Sequence, residues 1–169
     1  MNILAKPLLI VAALALAACT DAGRFGDETP ATGTGTGGVV AGSANDPQSP
    51  LYFQQSVGDR VLFTVDQHTI NPSAKPVLDG QASWLSSNTE YNAVIEGHAD
   101  EQGTREYNLA LGARRANAVR EYLMSRGLAS NRLKTVSYGK ERPIEVCSEE
   151  ACYSQNRRAV TVLSAGVSG

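Results

Sequence analysis

Beyond residue 18 the chain has no apolar run long enough to cross a bilayer as a helix, which takes about 20 residues. It also has no basic excess. Lys+Arg 15 against Asp+Glu 17 gives a formal net charge of −2, so nothing suggests a general nucleic-acid surface working by counterion release. Histidine is scarce, with only His68 and His98. No serine or cysteine sits in a recognisable nucleophile motif, no glycine-rich phosphate loop follows a strand-like segment, and no segment repeats. Cys147 and Cys152 have no histidine nearby and do not read as half of a zinc site. What remains points to binding more than to catalysis.

The N-terminus accounts for part of the length. Lys6 is a sparse positive region, and Leu8 to Ala18 is an apolar run too short to span a bilayer, which fits a signal peptide over residues 1–18. The run stops at Leu16-Ala17-Ala18-Cys19, which looks like a bacterial lipobox with Cys19 as the lipidated residue. The alternative is an ordinary secretory signal whose Cys19 happens to follow small residues. Several acyl chains on one cysteine would anchor the chain stably, where a single chain would not. In bacterial lipoproteins the residue after the lipidated cysteine influences sorting; here it is Thr20, not Asp, so the resemblance to a lipobox implies the outer membrane, although Asp21 follows. Loss of residues 1–18 removes one cation, Lys6, and no acid. With Cys19 lipidated, Cys147 and Cys152 are left as a pair in an oxidising compartment, where a disulfide would pin a local turn more than the whole fold.

Residues 19–56 read as the lipidated cysteine and a flexible tether. Thr32-Gly33-Thr34-Gly35-Thr36-Gly37-Gly38 is low in complexity and Asn45-Asp46-Pro47-Gln48-Ser49-Pro50 is rich in turn formers. Pulled straight, residues 20–56 reach about 120 Å; relaxed, they span roughly 33 Å. The folded domain is expected over 57–169. Arg60 to Asp66 predicts a strand by its β-branched and aromatic content. Asn71-Pro72 predicts a helix start, with the helix running to about Ser87. Tyr91 to Gly97 predicts a second strand. A second helix is expected over about Arg105 to Arg126, capped by Thr104 and ended by Gly127. Leu133 to Tyr138 and Arg157 to Ser164 predict two more strands, with an irregular stretch and one short helical turn between them. The order βαβα then ββ predicts a two-layer α/β sandwich, in which two main helices cover a small mixed four-stranded sheet.

The run from Glu96 to Val119 carries the chemistry. It reads as strand end, polar loop and helix start. On the helix, Leu111, Arg115, Val119 and Tyr122 share a face with Ala118 beside it. Arg115 is thus a permanent charge in an apolar stripe, which requires an anionic partner or a wet pocket. One reading is an internal ion pair with Asp100 or Asp66 that only stabilises the fold. The other is a cleft where Asp100 and Asp66 meet an ammonium and Arg115 meets a carboxylate. A turn-forming role for Asp100 is the ordinary alternative. Glu96, His98 and Asp100 alternate, which admits a different class of protein: a metal-dependent periplasmic hydrolase. No second cluster completes such a site.

Several ordered motifs carry a family resemblance. Glu96-Gly97-His98-Ala99-Asp100-Glu101, Gly103-Thr104, Tyr107-Asn108, Arg114-Arg115-Ala116-Asn117-Ala118-Val119, Ser137-Tyr138-Gly139-Lys140-Glu141 and Asn156-Arg157-Arg158-Ala159-Val160 follow one another at family-like spacing. Over Val61 to Leu163 the chain resembles the OmpA-like peptidoglycan-binding domain, and its lipoprotein members in particular. The resemblance implies a non-enzymatic protein without cofactors that binds the meso-diaminopimelate of the peptidoglycan stem peptide. It implies Asp100 and Arg115 as the groups that meet the ammonium and carboxylate, with Asp66, Thr104, Asn108 and Leu111 shaping the pocket. It also implies TolB and the other Tol proteins as partners, on a surface overlapping the wall-binding site, and links to envelope integrity and cell division. Two departures stand out: Val65 replaces an aromatic residue common in relatives, and the Cys147/Cys152 pair is absent from many of them.

Overall fold

The computed structural model describes residues 39–165. The expected signal peptide, the expected lipidation site Cys19 and the first half of the expected tether lie outside the described residues. The elements are a short helix α1 (Pro50–Tyr52) running into a π-helical turn (Phe53–Gly58), then β1 (Arg60–Leu62), α2 (Ala74–Ser87), β2 (Tyr91–His98), α3 (Arg105–Ser125), β3 (Leu133–Gly139), α4 (Glu150–Asn156) and β4 (Arg158–Ala165). The sheet order is β1-β4-β2-β3. β4 is antiparallel to both β1 and β2, whereas β2 and β3 are parallel, with α3 as their crossover. This is the two-layer mixed α/β sandwich that the sequence predicts.

Strand alternation decides which face is covered. Val61, Ala93, Ile95, Ala159 and Thr161 are buried beneath the helices, while Leu62 and Val162 on the opposite face are exposed. α2 contributes Leu78, Ala82, Trp84 and Leu85 to the core. Its start differs slightly from expectation. Asn71 Oδ1 accepts from the Ala74 amide at 2.7 Å, so Asn71 caps the turn, but the regular helix opens at Ala74 rather than Pro72. β1 ends at Leu62, earlier than predicted, although the Phe63 amide still donates to the Arg157 carbonyl at 2.8 Å.

The domain boundary expected at residue 57 falls inside the packed structure. Phe53 is completely buried, its ring centroid 4.9 Å from that of Trp84. The Trp84 indole donates to the Pro47 carbonyl at 2.7 Å. Burying an aromatic ring is worth several kcal/mol against the entropy of ordering a few residues, so a segment that is polar on average still docks through one phenylalanine.

α3 positions the site, and two glycines set its height above the sheet. A Cβ on Gly97 of β2 would lie 1.8 Å from the Gly112 carbonyl oxygen of α3, and one on Gly112 would lie 2.8 Å from the Gly97 carbonyl oxygen. Backbone therefore rests on backbone. The buried face of α3 is Asn108, Leu111, Gly112, Arg115, Ala116, Val119 and Leu123. It is rotated from the predicted stripe, with Leu123 inside and Tyr122 only half-buried, its hydroxyl donating to Asp79 at 2.8 Å. Thr104 Oγ1 accepts from the Tyr107 amide at 3.1 Å, and Gly127 takes φ +98°, so both helix ends form as predicted. Gly97→Ala is expected to destabilise the domain by at least about 3 kcal/mol through overpacking, read as a lower midpoint in urea unfolding. A midpoint equal to wild type would contradict the backbone contact.

Candidate functional site

Where β2 gives way to α3, a cleft of about 330 Å³ opens. Val65, Asp66, Asp100, Gln102, Gly103, Tyr107, Asn108 and Leu111 line it. The loop between strand and helix is tied down locally. Asn108 Nδ2 donates to the Gln102 carbonyl at 2.7 Å, and Lys140 Nζ donates to the Gly103 carbonyl at 2.7 Å. Thr104, expected to shape the pocket, instead caps α3 and is not among the lining residues.

Asp100 is buried, with 7 % of its surface exposed. Its Oδ1 accepts from the Gln102 amide at 3.2 Å, and its Oδ2 accepts from Arg157 Nη1 at 3.1 Å. An ionised carboxylate has about four acceptor sites, so two remain for a ligand donor. Asp66 sits across the cleft in a left-handed conformation, φ 57°, and accepts a hydrogen bond from the Tyr107 hydroxyl. Few non-glycine residues hold this conformation, and aspartate tolerates it better than most.

Arg115 ties down the residues on either side of Asp66, and not in the way the sequence suggested. Its side chain has no exposed surface. Nε donates to the Gln67 carbonyl at 2.8 Å, Nη1 to the His98 carbonyl at 2.8 Å and Nη2 to the Thr64 carbonyl at 3.2 Å. The guanidinium carbon also lies 5.2 Å from the Phe63 ring centroid. The expected ion pair with Asp100 or Asp66 does not form, and Arg115 does not line the cleft. Three main-chain dipoles take the place of an anion. Burial lowers the Arg115 pKa to about 10, opposed by the charges of Asp100 and Asp66, so it stays a cation at neutral pH. Arg114 is exposed, as its place on the outer face of the helix predicts.

Glu96 Oε2 lies 3.7 Å from His98 Nε2, but Asp100 does not join them, so the three do not form the site that the hydrolase reading needs. Among the described residues no three His, Cys, Asp or Glu side chains are grouped to hold a metal. Glu96 and His98 share the sheet face away from the helices, whereas Asp100 lies beyond the strand and faces Arg157. His98 is 2 % exposed, stacks on Tyr138 with centroids 5.6 Å apart, and neither ring nitrogen has a hydrogen-bond partner. Burial first, then the charges of Arg158 and Arg142, lower its pKa to about 4.

Sequence reasoning missed Arg157, the cation that does pair with Asp100, and Tyr107 and Gln102 on the cleft wall. Arg157 stands 57 residues from Asp100, so no local spacing links them. The one available signal was the Arg157-Arg158 pair opening a strand, where alternation sends the two side chains in opposite directions.

The model of the OmpA family matches residues 62–158. The chain belongs to the OmpA family, whose members are non-enzymatic. Within it, the chain is similar to proteins named peptidoglycan-associated lipoprotein. That of Rhizobium meliloti (strain 1021) is 50% identical over 156 residues, covering 92% of this chain and 85% of the relative. That of Agrobacterium fabrum is 51% identical over 158 residues, covering 94% and 88%. The crystal structure of the peptidoglycan-associated lipoprotein from Burkholderia pseudomallei is 39% identical with a TM-score of 0.64, covering 72% of this chain and 98% of that one. The C-terminal domain of Helicobacter pylori MotB, at 22% identity and a TM-score of 0.60, shares the fold.

Two measurements check this geometry. Arg115→Lys keeps the charge but cannot fork to three carbonyls, so it is expected to lower unfolding stability by about 2–4 kcal/mol; stability like wild type would contradict the assignment. His98 has a folded pKa below its unfolded value of 6.5. The unfolded state therefore binds more protons between pH 6.5 and 4. The stability that neutral His98 contributes is complete above about pH 6.5 and is lost as pH falls through about 4, up to about 3 kcal/mol. His98→Phe is expected to flatten urea-unfolding stability across that window, and an unchanged slope would contradict it.

Proposed function

We propose that this protein is an outer-membrane lipoprotein, anchored through Cys19 on the periplasmic face, that holds peptidoglycan non-covalently through the meso-diaminopimelate of the stem peptide. Its similarity to the peptidoglycan-associated lipoproteins supports the wall as target. The observation that carries the ligand chemistry is Asp100: a buried carboxylate with two unused acceptor sites at the wall of the cleft. A side-chain ammonium of diaminopimelate suits that position. Asp66 adds a second negative group on the opposite wall, and Asn108, Leu111 and Tyr107 give the peptide stem both polar and apolar contact. Val65 lines the cleft with less contact area than an aromatic residue would offer.

Arg115 serves the site from beneath. It holds the 64–67 turn, and with it Asp66, against the strand end, and its charge attracts the ligand's carboxylate through the cleft floor. Direct contact with that carboxylate requires the 64–67 turn to move. Thr104 acts through the helix cap that orients Tyr107 and Asn108. Participation in the Tol–Pal system, with TolB as partner on an overlapping surface, rests on the family resemblance, as does a role in envelope integrity and cell division.

Asp100→Asn keeps the shape and removes the charge. It is expected to weaken binding of a diaminopimelate-containing tripeptide, measured by calorimetry, by at least about tenfold, and to abolish co-sedimentation with purified sacculi. Retention like wild type by a folded Asp100→Asn protein would refute the placement.

A further inference from the structure

We infer that Glu150, which lies outside the cleft and inside the ring closed by Cys147 and Cys152, tunes Asp100 for a cationic ligand by acting through Arg157. The inference rests on the reading of the cleft as an ammonium site and adds a positioning residue to it.

Arg157 stands between two carboxylates. Its side chain is 4 % exposed. Nη1 donates to Asp100 Oδ2 at 3.1 Å and to Glu150 Oε2 at 3.3 Å, Nη2 donates to Glu150 Oε1, and Nε donates to the Phe63 carbonyl at 3.3 Å. Without Glu150, Asp100 and Arg157 would form a neutral pair. An incoming ammonium would then meet a carboxylate already neutralised by a cation at hydrogen-bond distance. With Glu150 present, the three groups carry a net single negative charge, and Arg157 Nη1 is shared between the two carboxylates instead of serving Asp100 alone. Arg157 and Asp100 are both buried, so the charge balance between them is weakly screened and acts on a ligand cation at the cleft, although Glu150 itself faces solvent. The hydrogen bond from Arg157 holds the Glu150 carboxyl below its usual range.

Glu150 is otherwise an exposed side chain, 65 % open to solvent. Exposed ion pairs contribute little unless their geometry is fixed, and here two devices fix it. The Cys147–Cys152 disulfide encloses Glu150 in a small ring. Asn156, buried at the other end of α4, donates to the Glu145 carbonyl at 2.7 Å and accepts from the Ile144 amide at 2.9 Å. Residues 144–156 are therefore closed on themselves at both ends. A ring this short removes little entropy from the unfolded chain, so its effect is local: it presents Glu150 to Arg157.

The test uses calorimetry on the full-length protein with two probes: a diaminopimelate-containing tripeptide and the same peptide acetylated on its side-chain amine. Glu150→Gln is expected to weaken the free-amine peptide about threefold to tenfold and to leave the acetylated peptide unchanged, with Glu150→Asp recovering part of the loss. The Cys147→Ser/Cys152→Ser double variant should weaken the free-amine peptide in the same direction. A role in folding alone would weaken both peptides alike, which overturns the inference. Wild-type affinity for the free-amine peptide in Glu150→Gln overturns it too, leaving the cleft reading intact. Failure of the unaltered protein to prefer the free-amine peptide overturns the cleft reading and this inference together.

Discussion

A guanidinium with no exposed surface, set in the middle of a helix, is the constraint around which this domain is arranged. Arg115 gathers the carbonyls of Thr64, Gln67 and His98, which belong to the turn after β1 and to the end of β2. Removing a charge from water is costly, and only dense hydrogen bonding offsets it. The chain supplies that bonding by bending residues 64–67 around the guanidinium, which places Asp66 in a conformation that non-glycine residues seldom hold. The same contact fixes where β2 stops and hence where Asp100 begins its loop. α3 can bring Arg115 this close only because Gly97 and Gly112 let helix and strand touch backbone to backbone.

The site that results divides its charges by depth. Carboxylates line the cleft, while Arg115 and Arg157 lie beneath it or behind it, each committed to protein acceptors. An open arrangement of fully free charges would be more strongly hydrated and less selective. Here Asp100 is oriented by a backbone amide on one oxygen and a guanidinium on the other, which leaves little freedom for a ligand to reorganise. This is the physical sense in which a binding module of this family can be selective without catalysis.

Much of this was legible in the chain. Helical periodicity with Thr104 and Gly127 as stops located α3 closely, and alternation located β2 and β4. Arg115 was identifiable because a permanent charge interrupts an apolar stripe. Its partners were not, since main-chain carbonyls leave no mark on residue identity, whereas Asp100 and Asp66 are anions visible in the sequence. Arg157 was hidden by its distance along the chain from Asp100. The docking of residues 47–58 was hidden by composition: Gln54, Gln55 and Ser56 read as linker, while Phe53, with Tyr52 and Val57 beside it and the Pro47 carbonyl, does the packing. Gly97 and Gly112 carried a weaker signal, because a glycine in a strand or helix interior often marks close backbone approach.

We propose that the cleft between the 64–67 turn and the start of α3 receives the wall peptide. Amide chemical-shift mapping of the protein during titration with a diaminopimelate-containing tripeptide tests it most directly. The expected result is that the largest changes cluster at Val65–Asp66, Asp100–Gly103 and Tyr107–Leu111, with a smaller response at Arg157. Changes concentrated on the exposed sheet face around Leu62 and Val162, or beside Trp84, with the cleft amides unmoved, would contradict it.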